Sequence, residues 1–155
     1  MDAVILIVGG MAQGKRQFAE ALLSEGRLSE RLDESGPVRW ADGGQVSLEE
    51  FAAAPFGCHA QLLIRRLLEK DPSLTTDPQW TSIAAEEQLG RALTELLLRR
   101  CRDRIVTAEE IGNGIVPLDP MERLYREQAG RVCCQLAGAA DQVWRVCCGI
   151  GGRIK

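Results

Sequence analysis

A chain of 155 residues is long enough for one domain with a substantial core and too short for two comfortable ones. Apolar residues make up 45% and charged residues 26%, and the net charge is −3, so no global basic field points to nucleic acid. No apolar run approaches membrane-spanning length; Val4–Val8 is also too short for a signal-peptide core and follows an aspartate rather than a basic segment.

From the N-terminal end, the β-branched run Val4-Ile5-Leu6-Ile7-Val8 reads as a buried strand, and residues 15–24 read as a helix with Phe18, Ala21, Leu22 and Ala19 toward the core. Between them Gly9-x4-Gly14-Lys15 has the spacing of a phosphate-binding loop. Glycines let backbone N–H groups turn inward around a phosphate, the helix N-terminus adds positive potential, and the lysine reaches the β/γ oxygens. Gly9, Gly10, Met11, Ala12, Gln13, Gly14, Lys15 and Arg16 are therefore the candidate nucleotide-binding residues, with Lys15 catalytic. A glycine turn with a solvated lysine is the plainer alternative; with only three lysines in the chain, one at this position favours phosphate. Arg16 stands where the motif wants Ser or Thr for Mg²⁺, and a guanidinium has no lone pair for a metal. Direct magnesium ligation from that position is lost.

Residues 24–37 read as the end of this helix and a loop, followed by a second strand, Val38–Ala41, that ends at Asp42-Gly43-Gly44. Asp42 is either a magnesium-directed carboxylate at a strand end or the start of a turn. Ser47-Leu48-Glu49-Glu50 marks a short capped helix, and Gly57 to Lys70 a further helix with Leu62, Leu63, Leu67 and Leu68 apolar. The sole histidine, His59, lies near its start; such a residue is a nucleophile or acid/base in some sites and more often a capping or surface group. Residues 71–80 form a polar loop, and residues 83–100 one long helix with Leu89, Leu93, Leu96 and Leu97 on a face. Its terminal Arg99-Arg100 complements the helix dipole and needs no nucleic-acid partner.

Arg104–Ala108 reads as a strand that delivers Glu109 and Glu110 into a glycine loop, Gly112-Asn113-Gly114-Ile115-Val116-Pro117. Carboxylates and glycines at a strand exit suit an active-site loop of an open α/β sheet, although a solvated turn has the same composition. Asp119-Pro120-Met121-Glu122 starts a helix that runs to about Ala140 with Met121, Leu124, Tyr125, Val132 and Leu136 inward; residues 142–148 form a last strand and residues 149–155 an extended end. The six cysteines (Cys58, Cys101, Cys133, Cys134, Cys147, Cys148) show no C-x2-C spacing and read as reduced, small apolar residues, which fits the cytoplasm.

The ordered series Gly112-x-Gly114-Ile115-Val116-Pro117, Arg126, Ala129-Gly130-Arg131-Val132, Leu136-Ala137, Ala139-Ala140-Asp141, Val143-Trp144, Gly149-Ile150 and Ile154-Lys155 resembles the C-terminal half of the adenosylcobinamide kinase / adenosylcobinamide-phosphate guanylyltransferase family. Gly9-Gly10-x3-Gly14-Lys15 is similar to that family's phosphate loop. The likeness covers about the first 25 residues and the last 50; residues 26–100 show no convincing match. It implies a single α/β domain over 1–155 of the three-layer P-loop type with a mostly parallel sheet, often homotrimeric, that acts in cobalamin biosynthesis. It further implies ATP or GTP and Mg²⁺ as cofactors, phosphorylation of the aminopropanol hydroxyl of adenosylcobinamide, and GMP transfer through a guanylylated histidine. Carried over by position, Glu110 is the acid before the glycine loop, the expected catalytic and magnesium-directed group with Asp42 as a second, and Gly112 and Gly114 belong to the substrate loop. The chain departs at Arg16 (Ser in the family), Cys133-Cys134 (Asn-Gln) and Glu127 (Asp). The family's histidine segment has no recognisable counterpart, and His59 occurs in a different context, so the nucleophile is not carried onto it. A kinase of this type is the leading reading. A catalytically weak nucleotide- or corrinoid-binding paralogue and a kinase for another small alcohol are its rivals.

Overall fold

The computed structural model describes residues 3–26 and 37–155. In it β1 (Val4–Gly9) lies at the centre of a sheet, parallel to β4 (Arg104–Glu109) on one side and to β5 (Gln142–Cys147) on the other. Beyond β4 the sheet continues in parallel with β3 (Phe56–Cys58) and β2 (Ala41–Asp42), while β6 (Ile150–Arg153) turns back antiparallel on β5. The order is β2-β3-β4-β1-β5-β6.

The alternation of side chains along β1 sorts the helices into layers. Ile5 and Ile7 pack with Ala19 and Leu22 of α1 (Lys15–Ser24) on one face. Val4 and Leu6 join the larger core on the other, built with α2 (Leu48–Ala53), α3 (Ala60–Leu68), α5 (Gln88–Arg100) and α6 (Pro120–Ala139). Both faces are covered, which is why the strand reads as an unbroken apolar run. The expected three-layer α/β fold with a mostly parallel sheet is the one observed.

The sheet and helices are tied together by Arg104, whose side chain is fully buried at the start of β4. Its guanidinium donates to the carbonyls of Leu97 (2.7 Å) near the end of α5 and of Phe51 (3.0 Å) and Ala54 (2.7 Å) at the end of α2. The guanidinium thus ties the ends of α5 and α2 to the start of β4, and burial lowers the Arg104 pKa to about 10.

Several local expectations are corrected. Gly57 and Cys58, read as the start of a helix, belong to strand β3, and α3 begins only at Ala60. The polar loop over 71–80 and the long helix from Ile83 become α4 (Pro78–Ile83), capped by Asp77, and the separate α5. The second strand lies at Ala41–Asp42 rather than Val38–Ala41, and the extended C-terminal end is strand β6. Ala21 and Met121, expected inward, are exposed. The capped starts hold: Ser47 and Glu50 form a reciprocal capping box, and Asp119 accepts from the Met121 amide with Pro120 following. Most of the expected loop over 24–37 lies outside the described residues.

Candidate active site

The loop between β1 and α1 passes through two left-handed residues, Ala12 (φ 55°) and Gly14 (φ 84°). Gly14 precedes α1 without any side-chain cap, so the amides of the first helical turn are open to an anion. The β5–β6 turn braces this loop from beside it. The Gly149 amide donates to the Gln13 carbonyl (2.8 Å) and the Cys148 amide to Gln13 Oε1 (2.8 Å).

Lys15 Nζ donates to the carbonyls of Gly9 (3.2 Å) and Gly10 (2.6 Å), and its side chain is buried. Burial lowers its pKa, while Glu109 and then Glu110 oppose that shift. Glu109 arrives through the register: it is the partner of Gly9 across β1 and β4, so the two strands end together. Its amide donates to the buried Gln61 Oε1 (3.0 Å), which fixes the strand exit against α3. A cavity of about 280 Å³ is lined by the loop, Lys15, Arg16, His59, Thr107 and Glu109.

His59 enters this cavity from an unexpected direction. It follows β3 in a left-handed conformation (φ 54°) just ahead of α3, placing Nδ1 3.1 Å from Asp42 Oδ2 and Nε2 4.0 Å from Glu109 Oε1. The first of these is a close contact without hydrogen-bond alignment, so Nδ1 is buried with no hydrogen bond. Asp42 Oδ1 accepts from the Gly44 amide (2.8 Å), and Asp42 stands behind His59 rather than lining the cavity. The Cys58 thiol, pushed up to about 11 chiefly by burial and then by Asp42, lies against the Arg16 guanidinium, which acts in the opposite sense.

Glu110 takes the other side of the strand exit. Arg145 grips it with Nε at 2.9 Å and Nη2 at 3.1 Å, a bidentate pair. Together they edge a second cavity of about 420 Å³ whose walls include Ala129, Cys133, Val143 and Ile154. Gly112 (φ 103°) and Gly114 (φ 92°) then carry the chain into an exposed loop, where Arg126 donates to the Ile115 carbonyl (3.0 Å) and Arg123 to those of Pro117 (2.8 Å) and Leu118 (2.7 Å).

Of the residues expected from sequence, the structure gathers Gln13, Gly14, Lys15 and Arg16 around one cavity, sets Glu110 in the neighbouring one, and turns Asp42 toward His59. Sequence reasoning did not find Thr107, Gln61, Arg145 or the Cys148-Gly149 brace. For Glu109 a signal existed: β1 and β4 have equal lengths, and pairing them end to end puts Glu109 beside Gly9.

The profile of the family described as "Cobinamide kinase / cobinamide phosphate guanyltransferase" matches residues 57–154. The chain belongs to this family. Two relatives, each called "Bifunctional adenosylcobalamin biosynthesis protein CobU", from Escherichia coli (strain K12) and Salmonella typhimurium (strain LT2), are 32% identical to it over 180 aligned positions. Those positions take in 98% of this chain and 99% of each relative. Because 180 positions exceed the 155 residues present, the relatives carry stretches with no counterpart here. The kinase/guanyltransferase profile covers His59, Glu109, Glu110 and the glycine loop, while the phosphate loop lies ahead of it.

Proposed function

We propose that this chain phosphorylates the aminopropanol hydroxyl of adenosylcobinamide, with ATP or GTP as donor, in cobalamin biosynthesis or salvage. The observation that carries this reading is the convergence of the phosphate loop, Lys15 and Glu109 on one cavity in a chain of this family. The backbone from Gly9 to Gly14 cradles the β and γ phosphates, and Lys15 exchanges its two carbonyl partners for phosphate oxygens. Arg16 adds a second cation at the helix start. Glu110, held in place by Arg145, and the loop through Gly112 and Gly114 orient the corrinoid arm in the adjoining cavity.

Magnesium fits the donor set in a restricted way. Arg16 offers no lone pair, and Asp42 and Glu110 are engaged by His59 and Arg145. Glu109 is the carboxylate that lines the phosphate cavity, so it would hold a nucleotide-borne Mg²⁺ together with water and the phosphates. Bound there, Mg²⁺ supplies charge neutralisation at the β/γ oxygens.

The second activity in the family's description needs an imidazole if it proceeds through a guanylylated histidine, and His59 is the single one in the chain. Arg16 and the absent histidine segment favour, as the rival reading, a paralogue that binds nucleotide or corrinoid with little turnover. Self-association as a trimer fits the apolar residues exposed on the β4–α6 loop. Free thiols at all six cysteines agree with a cytoplasmic location, and among the described residues no helix is long and apolar enough to cross a membrane.

Mass spectrometry of protein incubated with adenosylcobinamide, Mg²⁺ and ATP or GTP tests the proposal. The expected product is the phosphorylated corrinoid, reduced about 100-fold or more in rate by Lys15→Met with the circular dichroism unchanged. Nucleotide binding without product from either donor would favour the weak paralogue. A mass gain of GMP on the protein, lost in His59→Asn, would establish the second activity.

A further inference from the structure

We propose that Asp42, Cys58 and His59 form a binding site for a divalent transition metal of the zinc class, in the wall of the phosphate cavity. This goes beyond phosphoryl transfer and does not depend on it.

The strand register builds the cluster. Asp42 and Cys58 are the last residues of β2 and β3 and face each other in the parallel pair, and His59 is the next residue along the chain. One ligand atom from each of the three lies within 4.8 Å of the other two. Main-chain bonds lock the frame: the Gly43 amide donates to the Cys58 carbonyl (2.9 Å) and the Gly44 amide to Asp42 Oδ1 (2.8 Å). That leaves Asp42 Oδ2 facing His59 Nδ1 at 3.1 Å.

Two features are unexplained by packing. His59 holds a left-handed backbone, a strained conformation for a non-glycine residue, with its Nδ1 3.1 Å from Asp42 at the end of β2. Its Nδ1 is buried without a hydrogen bond. A neutral core thiol accounts for Cys58 alone; it does not account for a buried imidazole nitrogen that lies 3.1 Å from a carboxylate oxygen beside that thiol without forming a hydrogen bond to it. A metal satisfies all three groups together.

The donor set selects the metal. Magnesium and calcium take oxygen ligands, whereas sulfur, imidazole nitrogen and carboxylate oxygen together suit zinc and its neighbours. In a tetrahedral zinc site, ligand distances of about 2.0–2.3 Å put the donors about 3.5 Å apart, so side-chain rotations of about 1 Å close this set. Three protein ligands leave a fourth position, as in zinc sites that keep a water. Of the three, His59 borders the phosphate cavity. The Arg16 guanidinium now against Cys58 is on an exposed side chain and swings away as the metal enters and the thiol proton leaves.

Cobalt is the probe of choice. Chelator-treated protein is titrated with Co²⁺ and followed by absorption, with Zn²⁺ uptake measured by equilibrium dialysis. The expected result is one metal per chain, a thiolate-to-cobalt charge-transfer band with tetrahedral d–d bands, and displacement of Co²⁺ by Zn²⁺. Cys58→Ser removes the charge-transfer band, and Asp42→Asn and His59→Asn, at half-exposed positions, each weaken Co²⁺ binding by roughly tenfold or more. The adjacent thiols Cys147 and Cys148, with Sγ atoms 3.9 Å apart, are the competing soft site, and their double serine variant is expected to keep the band. Substoichiometric Zn²⁺, a band that survives Cys58→Ser, or a band lost only with the Cys147/Cys148 pair would each overturn the proposal. Should Cys58→Ser fail to fold, unchanged Co²⁺ affinity in both Asp42→Asn and His59→Asn would overturn it equally.

Discussion

Arg16 concentrates the unusual chemistry of this site at a single position. It follows the phosphate-loop lysine at the start of α1 and reaches toward Cys58, so one guanidinium serves the wall of the same cavity that holds Lys15. A charged donor to phosphate contributes about 1.5–3 kcal/mol, or a factor of about 10–100 in affinity. If Arg16 delivers that charge, nucleotide binding depends little on divalent cation. Arg16→Ser is then expected to weaken ATP or GTP binding in chelator by about tenfold and to recover most of the loss when Mg²⁺ is added, because a hydroxyl ligand has been restored. Calorimetric titration with and without Mg²⁺ reads both arms. Identical affinities for the two proteins under both conditions would mean that Arg16 stays with Cys58 and takes no part. At this scale the strand, glycine turn and helix around Gly9 to Lys15 were legible because the signal is local, a glycine spacing with one lysine between a strand and a helix. The division of labour between Glu109 and Glu110 was not. Neighbours on a strand face opposite ways, so only the pairing of β4 with β1 decides which carboxylate meets the phosphate cavity.

Among the elements, β1 has a backbone neighbour that leaves no room for a side chain at Gly9. A Cβ on Gly9 would come 2.3 Å from the Val146 carbonyl oxygen on β5, a backbone atom that cannot step aside without opening the sheet. Gly9→Ala is therefore expected to cost roughly 3 kcal/mol in chemical denaturation and to disturb nucleotide binding with it. Gly130→Ala on α6 is the control: nothing lies within 4 Å of its added Cβ, and better helix propensity should stabilise the chain by about 0.5–1 kcal/mol. Equal behaviour of the two variants would show that β1 and β5 are not held as tightly as the geometry requires. The long, periodic or well-capped elements could be read directly, as α1, α6 and β4 were, because propensity, pattern and caps agree there. β3 could not. Three residues after Pro55 carry no alternation, and Phe56-Gly57-Cys58 becomes a strand only because β2 and β4 supply its partners. The break between α4 and α5 was hidden in the same way by a continuous helical pattern through residues 83–100, although Asp77 and Pro78 carry a helix-start signal.

For the molecule as a whole, the surface is less finished than the core. The loop from β4 to α6 exposes Ile115 (88%), Val116 (75%) and Leu118 (95%), with Met121 beside them at the start of α6. This cluster follows Gly112 and Gly114, and Arg123 and Arg126 hold its backbone in place through carbonyl contacts. Apolar groups held on a braced loop mark a contact surface better than a floppy one would, since less conformational freedom is lost on docking. Assembly with copies of the same chain would cover them and bring one subunit's glycine loop near its neighbour. Leu118→Asp is expected to leave the thermal midpoint of the isolated subunit unaltered, because the side chain touches little within its own chain, and to shift the mass in light scattering from trimer to monomer. Arg153→Ala, on the edge strand β6, should leave the mass unchanged. A monomeric wild-type chain would remove self-association as the explanation and assign the exposed residues to the corrinoid. In that case Leu118→Asp raises KM for the acceptor while the mass of the protein stays the same.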